Sequence, residues 1–195
     1  YGWERDGELR GYVAYTVGAD GEGKVLDANE VAAAGRESEL ACLGFLADHD
    51  SQVDRVRVYG PPDVSLLDRV ADPGDVEVSI SAGPMVRVVD LQAALESIAY
   101  PAGADAGLVL GVGDSLVDWN DGAFRLHVEA GEATVEAADA EPDAEVGIGP
   151  LSQLVVGYRT GETLAEAGEL SGDESAIEAL DELFPTREPF LRERF

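Results

Sequence analysis

Apolar and polar positions divide the chain into two stretches of different character. From Tyr1 to Val17 the period is two, with Tyr12, Ala14 and Thr16 set against Val13, Tyr15 and Val17. Asp6-Gly7 interrupts this stretch as a tight-turn pair, so a β-hairpin is predicted. The glycine-rich run 18–23 predicts a second turn, and Val25–Ala33 a third strand. Leu40, Leu43, Leu46 and Ala47 then recur at three- and four-residue steps, which predicts a helix over 36–48. Val53–Tyr59 alternates as a strand, and Pro61-Pro62-Asp63 reads as a turn and N-cap launching a short helix over 64–70. The first stretch is thus β-β-β-α-β-α.

Residues 71–84 hold Asp-Pro-Gly, a strand-like Val76-Glu77-Val78 and Gly83-Pro84, a concentration of breakers that marks a domain boundary. Two domains are therefore expected, 1–82 and 83–195. In the second, Val88, Leu91, Leu95 and Ile98 predict a helix closed by Tyr100-Pro101. Four strands follow: 108–112, a second with Phe124, Leu126 and Val128 alternating against Arg125, His127 and Glu129, then 133–137 and 146–148. They read as a small antiparallel meander. Pro150 opens a helix with Leu151, Leu154, Val155 and Tyr158 on one stripe. Leu164 marks a short helix ending at Gly168, and Ala176, Ile177, Leu180, Leu183 and Phe184 form the clearest amphipathic stripe before Pro185. The fold class is α+β, a smaller α/β module followed by a sheet with helices.

Charge narrows the partners. Forty Asp and Glu against thirteen Lys and Arg give a net charge of −27, spread through core-forming sequence rather than collected in a tail. Such a surface repels nucleic-acid phosphates and anionic lipid, so neither nucleic acid nor membrane is expected as a partner. Only one cation is a lysine, Lys24. This arginine-biased, carboxylate-rich balance resembles the proteome signature of salt-adapted archaea, in which molar salt screens repulsion beyond about 3 Å. No apolar run approaches the roughly 20 residues of a membrane span, and no targeting leader precedes Tyr1, so a cytoplasmic location and a natural start upstream are expected.

Candidate chemistry is sparse. A lone cysteine, Cys42, falls in the apolar phase of the first helix and reads as core. His127 lies on the polar phase of its strand, and His49 follows a helix C-terminus, so both read as ordinary surface histidines. With only these histidines and no cysteine pair, metal-ligand spacing is lacking. The glycines of 107–113 do not fit a nucleotide-binding loop, and neither Ser115 nor Ser152 sits in a nucleophile-elbow frame. The residues alone indicate no active site.

The passage Met85-Val86-Arg87-Val88-Val89-Asp90-Leu91-Gln92-Ala93-Ala94-Leu95 adds a further expectation. It resembles the start of the last domain of the enhanced intracellular survival (Eis) type of GNAT acetyltransferases. Supporting landmarks keep the family's order: Leu108–Val112 with Asp114, the Gly122-Ala-Phe-Arg-Leu strand, Leu151-Ser-Gln-Leu with Gly157-Tyr158, Leu164-Ala-Glu-Ala-Gly168, Leu183-Phe184 and the Pro189–Phe195 ending. Gly11-Tyr12-Val13-Ala14-Tyr15 and the helix end at 43–50 are similar to its middle domain.

The resemblance implies a degenerate, non-catalytic GNAT-like domain over 1–82 and a sterol-carrier-protein-like domain over 83–195. These would be preceded in the full protein by an absent N-terminal GNAT domain that binds acetyl-CoA. The strand-to-helix junction Val31-Ala32-Ala33-Ala34-Gly35-Arg36-Glu37-Ser38 does not carry the family's cofactor loop, so no cofactor-binding residue is expected in this chain. The family further implies that the C-terminal carboxylate, here that of Phe195, is the catalytic base for a small-molecule or peptide amine. Arg192 and Arg194 beside it argue against a polycationic acceptor such as an aminoglycoside. A homo-oligomer is also implied. The alternative is a module without catalysis, serving assembly or holding a lipid against Leu110, Phe124, Leu126 and Val135.

Overall fold

A computed structural model describes residues 1–61, 67, 69–70, 72–81, 83–187 and 189–191. The chain separates into two compact units, Tyr1–Ala82 with Phe190–Phe195, and Gly83–Pro189.

The first unit is a four-stranded sheet in the order β1 (Gly2–Arg5), β2 (Glu8–Asp20), β3 (Gly23–Ala33), β4 (Arg55–Val58). The first two pairings are antiparallel, whereas β3 and β4 run parallel, as a helical crossover requires. That crossover is α1 (Arg36–Ala47). Asp6 and Gly7 both have positive φ, the two-residue turn whose twist suits a hairpin. The glycine-rich run is not one loop, because β2 continues to Asp20 and only two residues separate it from Gly23. Val13, Leu26, Ala28, Cys42, Leu46 and Val53 form the core between sheet and helix. Gly11 lets the helix approach, since a Cβ there would lie 3.1 Å from Ser38 Cβ and 3.2 Å from Cys42 Sγ. Beside the sheet, Arg55 bridges Asp20 and Glu22, while Arg57 contacts Asp27 and Asp20. The Arg55 guanidinium, then the Glu22 amide, hold the Asp20 carboxyl below its ordinary range. The helix expected over 64–70 falls largely outside the described residues, and Val76-Glu77-Val78 is not a strand.

In the second unit the sheet order is β7-β6-β5-β8-β9, from β5 (Ala106–Gly113), β6 (Gly122–Glu129), β7 (Glu132–Ala137), β8 (Ala144–Gly147) and β9 (Leu170–Gly172). The expected antiparallel meander holds for β5, β6 and β7, but β8 joins β5 in parallel. The strand β9, which alternation did not indicate in three residues, closes the edge against β8. Helices α2 (Leu91–Glu96), α3 (Ile148–Val155), α4 (Gly161–Glu166) and α5 (Glu174–Leu183) contribute to one core cluster with the inward residues of the sheet. Fully buried leucines at 91, 95, 110, 126, 151, 154, 164, 180 and 183 dominate it. Burial of this kind contributes roughly 1.5–3 kcal/mol per side chain.

Two helices differ from the pattern expected of them. Val88 is buried but precedes α2, which begins only after Asp90, whose carboxylate accepts the Ala93 amide as N-cap. Ile148 starts α3 rather than ending a strand, which puts Pro150 inside the first turn, where its missing N–H costs nothing. Tyr158 lies beyond α3 and is exposed.

Candidate functional site

The β3–α1 junction is where a GNAT-type cofactor loop would lie, and its geometry is set by its own side chains. Gly35, the N-cap, is extended, and its amide donates to Ser38 Oγ at 3.2 Å while Ser38 Oγ donates back to the Gly35 carbonyl at 2.8 Å. Ala34 donates its amide to the Arg10 carbonyl, tying the junction to β2. Two carboxylates, Glu37 and Glu39, occupy the first turn, paired with Arg5 and Arg69. Acidic groups there stabilise the helix but place negative charge where a pyrophosphate needs positive potential.

A second polar cluster lies in the other unit. Asp114, Asn120 and Ser152 are its buried polar residues. The Asp114 carboxylate, just beyond β5, accepts the Leu116 and Val117 amides at 2.9 and 3.3 Å, Asn120 Nδ2 at 3.1 Å, and the Arg87 guanidinium. Burial pushes this carboxyl up. The Leu116 amide, Asn120, Arg87 and the Val117 amide outweigh it and hold the pKa down to about 2. Asn120, in the 3-10 turn 118–120, accepts the Leu91 amide through Oδ1 and donates to the Val89 carbonyl. Ser152 Oγ accepts the Val88 amide and donates to the Ile148 carbonyl at 2.6 Å. Every group is spent on structure, so the cluster anchors backbone and leaves no nucleophile free.

The third feature is a shallow groove of about 540 Å³ across β5, β6, β8 and β9. Gly111, Gly113 and Gly147 contribute to its lining, with Asp121, Glu145 and Glu169 among its carboxylates. Pro142 packs so closely on β5 that a Cβ on Gly111 would lie 2.8 Å from its Cγ. Asp121 accepts the Asp114 amide, and Glu169 pairs with Arg159.

The residues singled out from the sequence fall as follows. Phe195, the candidate base, lies outside the described residues together with Arg192 and Arg194. Leu110, Phe124, Leu126 and Val135, the residues weighed as the lining of a lipid site, belong to the core cluster shared with the helices. His127 is exposed on β6, 4.0 Å from Glu129. His49 Nδ1 lies 2.8 Å from the Phe45 carbonyl, with its ring edge-on to Tyr15 and Phe45. Cys42 is buried, and its thiol is pushed up by that burial. Among the described residues no His, Cys, Asp or Glu group could hold a metal, and no helix is long and apolar enough to cross a membrane. The Arg87–Asp114–Asn120 cluster was not reached from spacing. Its one local signal is a pair of single charges, Arg87 and Asp114, each set in an apolar run.

A GNAT-like sheet crossed by one helix, followed by an α+β unit with helices packed on a mixed sheet, defines a two-part acetyltransferase-type architecture. Residues 91–192 match the sterol carrier protein domain family, and the chain belongs to it. Residues 1–88 match the acetyltransferase (GNAT) domain.

Among curated proteins, an uncharacterized N-acetyltransferase of Streptomyces coelicolor is 29% identical over 171 residues, 85% of this chain and 41% of its own length. Two solved structures are similar. A "conserved protein of unknown function", described as a "probable N-acyltransferase", from Enterococcus faecalis V583 superposes with a TM-score of 0.84 at 27% identity. It is covered over 48% of its length by 97% of this chain. Eis1 from Mycobacterium abscessus gives a TM-score of 0.73 at 30% identity, over 95% of this chain and 48% of its own. The chain thus spans less than half the length of the relatives it matches.

Proposed function

We propose that this chain is the C-terminal part of an acetyl-CoA-dependent N-acetyltransferase acting on a small-molecule or peptide amine. The observation that carries this reading is the succession of a GNAT match and a sterol carrier match along one chain, aligned to about half of longer proteins named N-acetyl- or N-acyltransferases. The chain supplies scaffold and one wall of the acceptor site, while a further GNAT domain, N-terminal in the full protein, holds acetyl-CoA. The acidic first turn of α1 supports assigning the cofactor to that other domain. Where Phe195 is the native terminus, its carboxylate accepts the proton released by the acceptor amine. The lysine-poor surface of charge −27 supports a working environment of high salt in the cytoplasm.

The test is calorimetric titration of this chain with acetyl-CoA at molar KCl, beside amine acetylation by the protein extended upstream to its relatives' length. The expected result is no heat of binding from the chain and turnover by the extended protein. Binding by the chain alone overturns the assignment of the cofactor elsewhere, and an extended protein inert toward every amine overturns the activity. Appending one residue after Phe195 moves the carboxylate, and a loss of kcat with KM retained is expected if it is the base.

A further inference from the structure

Residues 86–89 belong to no helix or strand, yet they are bonded from several directions. Val88 donates its amide to Ser152 Oγ at 2.8 Å. The Val89 carbonyl accepts from Trp119 Nε1 at 2.9 Å and from Asn120 Nδ2 at 3.0 Å. Arg87 closes on Asp114 at 2.6 and 2.7 Å. Apolar burial is slight by comparison, because Val88 is enclosed while Val86 and Val89 are exposed. Immediately after, Asp90 caps α2 through the Ala93 amide, and Leu91 is fixed by Asn120 Oδ1 and by full burial.

A segment held by polar bonds and one buried side chain, bordering a helix held by a leucine core, has a lower opening free energy than its neighbour. We propose that residues 86–89 form a latched strap that opens as a local unit about Asp90, with the Arg87–Asp114 ion pair as its latch. Closed, the fixed backbone of the second unit begins at Val86. Open, it begins at Asp90, and the chain preceding it gains at most roughly 13–14 Å of reach from four residues. The strap therefore sets how much free chain precedes Asp90. It does so without disturbing the sheet, since none of its residues pairs with a strand.

Amide hydrogen exchange on the whole chain, with Arg87→Gln beside the native sequence, tests this. In the native chain the Val88 amide is expected to exchange more slowly than Met85 but faster than the paired amides of β5 and β6. Arg87→Gln is expected to speed Val88 at least tenfold while leaving β5 and β6 unchanged. The proposal is overturned if native Val88 exchanges as fast as Met85, for then nothing is latched. It is equally overturned if Val88 and the sheet amides accelerate together, for then the strap is part of the cooperative core.

Trypsin gives a second readout that does not depend on Arg87→Gln. Asp114→Asn keeps the side-chain volume and an acceptor for the Leu116 amide, and is expected to raise the rate of cutting after Arg87 at least tenfold with cutting after Arg125 unchanged. Equal rates in the native and Asp114→Asn chains overturn the latch.

Discussion

One guanidinium nitrogen of Arg87 lies 2.6 Å from one carboxylate oxygen of Asp114 and 2.7 Å from the other, and the Asp114 side chain is fully enclosed whereas that of Arg87 is 36% exposed. A carboxylate in that position is tolerated only because its bonds replace the water it has lost. Its pKa, held to about 2 in the folded chain, is near 4 when unfolded, so the folded state favours the ionised form. Stability from this group is therefore fully present above about pH 4 and is lost as pH falls from there through about 2. Asp114→Asn is expected to lower Tm at pH 7. The difference from the native chain should narrow below pH 4, read by scanning calorimetry in steps of pH. A gap constant down to pH 2 would show that the charge itself contributes nothing.

That relationship also marks where sequence reading stops. The hairpin at Asp6-Gly7, the helix through Leu43 and Leu46, the alternation of β6 and the stripe of α5 were legible, because each writes its period over several consecutive residues. Strand β9 has only three residues and no period to read. The parallel pairing of β8 is a matter of long-range partnership, which spacing does not encode. Val88 fits a helical stripe with Leu91 and Leu95 because a buried position in an extended strap can coincide with that phase; the N-cap propensity of Asp90 was the signal that separates the two. Arg87, Asp114, Asn120 and Ser152 are dispersed over 66 positions of sequence and meet only in the fold.

Ala130 has φ +52° and precedes Gly131 at +85° in the turn joining β6 to β7. A β-carbon in the left-handed region costs roughly 1 kcal/mol, which asparagine recovers in part through local hydrogen bonding. Ala130→Asn is accordingly expected to raise stability by about 0.5–1 kcal/mol. Urea denaturation gives the value directly, and an unchanged or lower midpoint would contradict the strain.

In the first unit, Gly11 and Cys42 meet across the sheet–helix interface. Adding a β-carbon at Gly11 brings it to 3.2 Å from Cys42 Sγ, tighter than ordinary contact. Gly11→Ala should cost about 1–3 kcal/mol by overpacking. Combined with Cys42→Ala, the loss should fall short of the sum of the single variants by about 0.5 kcal/mol or more, since the smaller side chain vacates the contested space. Strict additivity in a double-mutant cycle would place the clash elsewhere, at Ser38 or at the Ala32 carbonyl.

Leu108 and Leu126 face each other across β5 and β6 and are both buried in the core cluster. If that interior is packed rather than a lipid chamber, truncating Leu126 to alanine leaves a cavity and costs about 2–5 kcal/mol. A lipid chamber would instead absorb the change, with a stability loss under about 1 kcal/mol and altered retention of apolar ligand. Urea unfolding of Leu126→Ala, with organic extraction of the purified native chain, separates the two.

The net charge of −27 makes the ionic-strength dependence of stability the most general test of what this surface is for. Compacting the chain brings carboxylates together, and at 0.1 M salt their repulsion reaches about 10 Å, against about 3 Å at 1 M. Paired groups such as Asp20 with Arg55 gain little from screening, whereas the many carboxylates in excess of cations are relieved by it. Tm is therefore expected to rise steeply with KCl up to about 1 M and to flatten above it, because the screening length changes little thereafter. A rise that continues linearly to several molar, and is larger in sulfate than in chloride at equal ionic strength, would identify exclusion of salt from apolar surface as the cause. A fall in Tm over the first molar would mean that attractive ion pairs outweigh repulsion, and that the acidic surface is not suited to high salt.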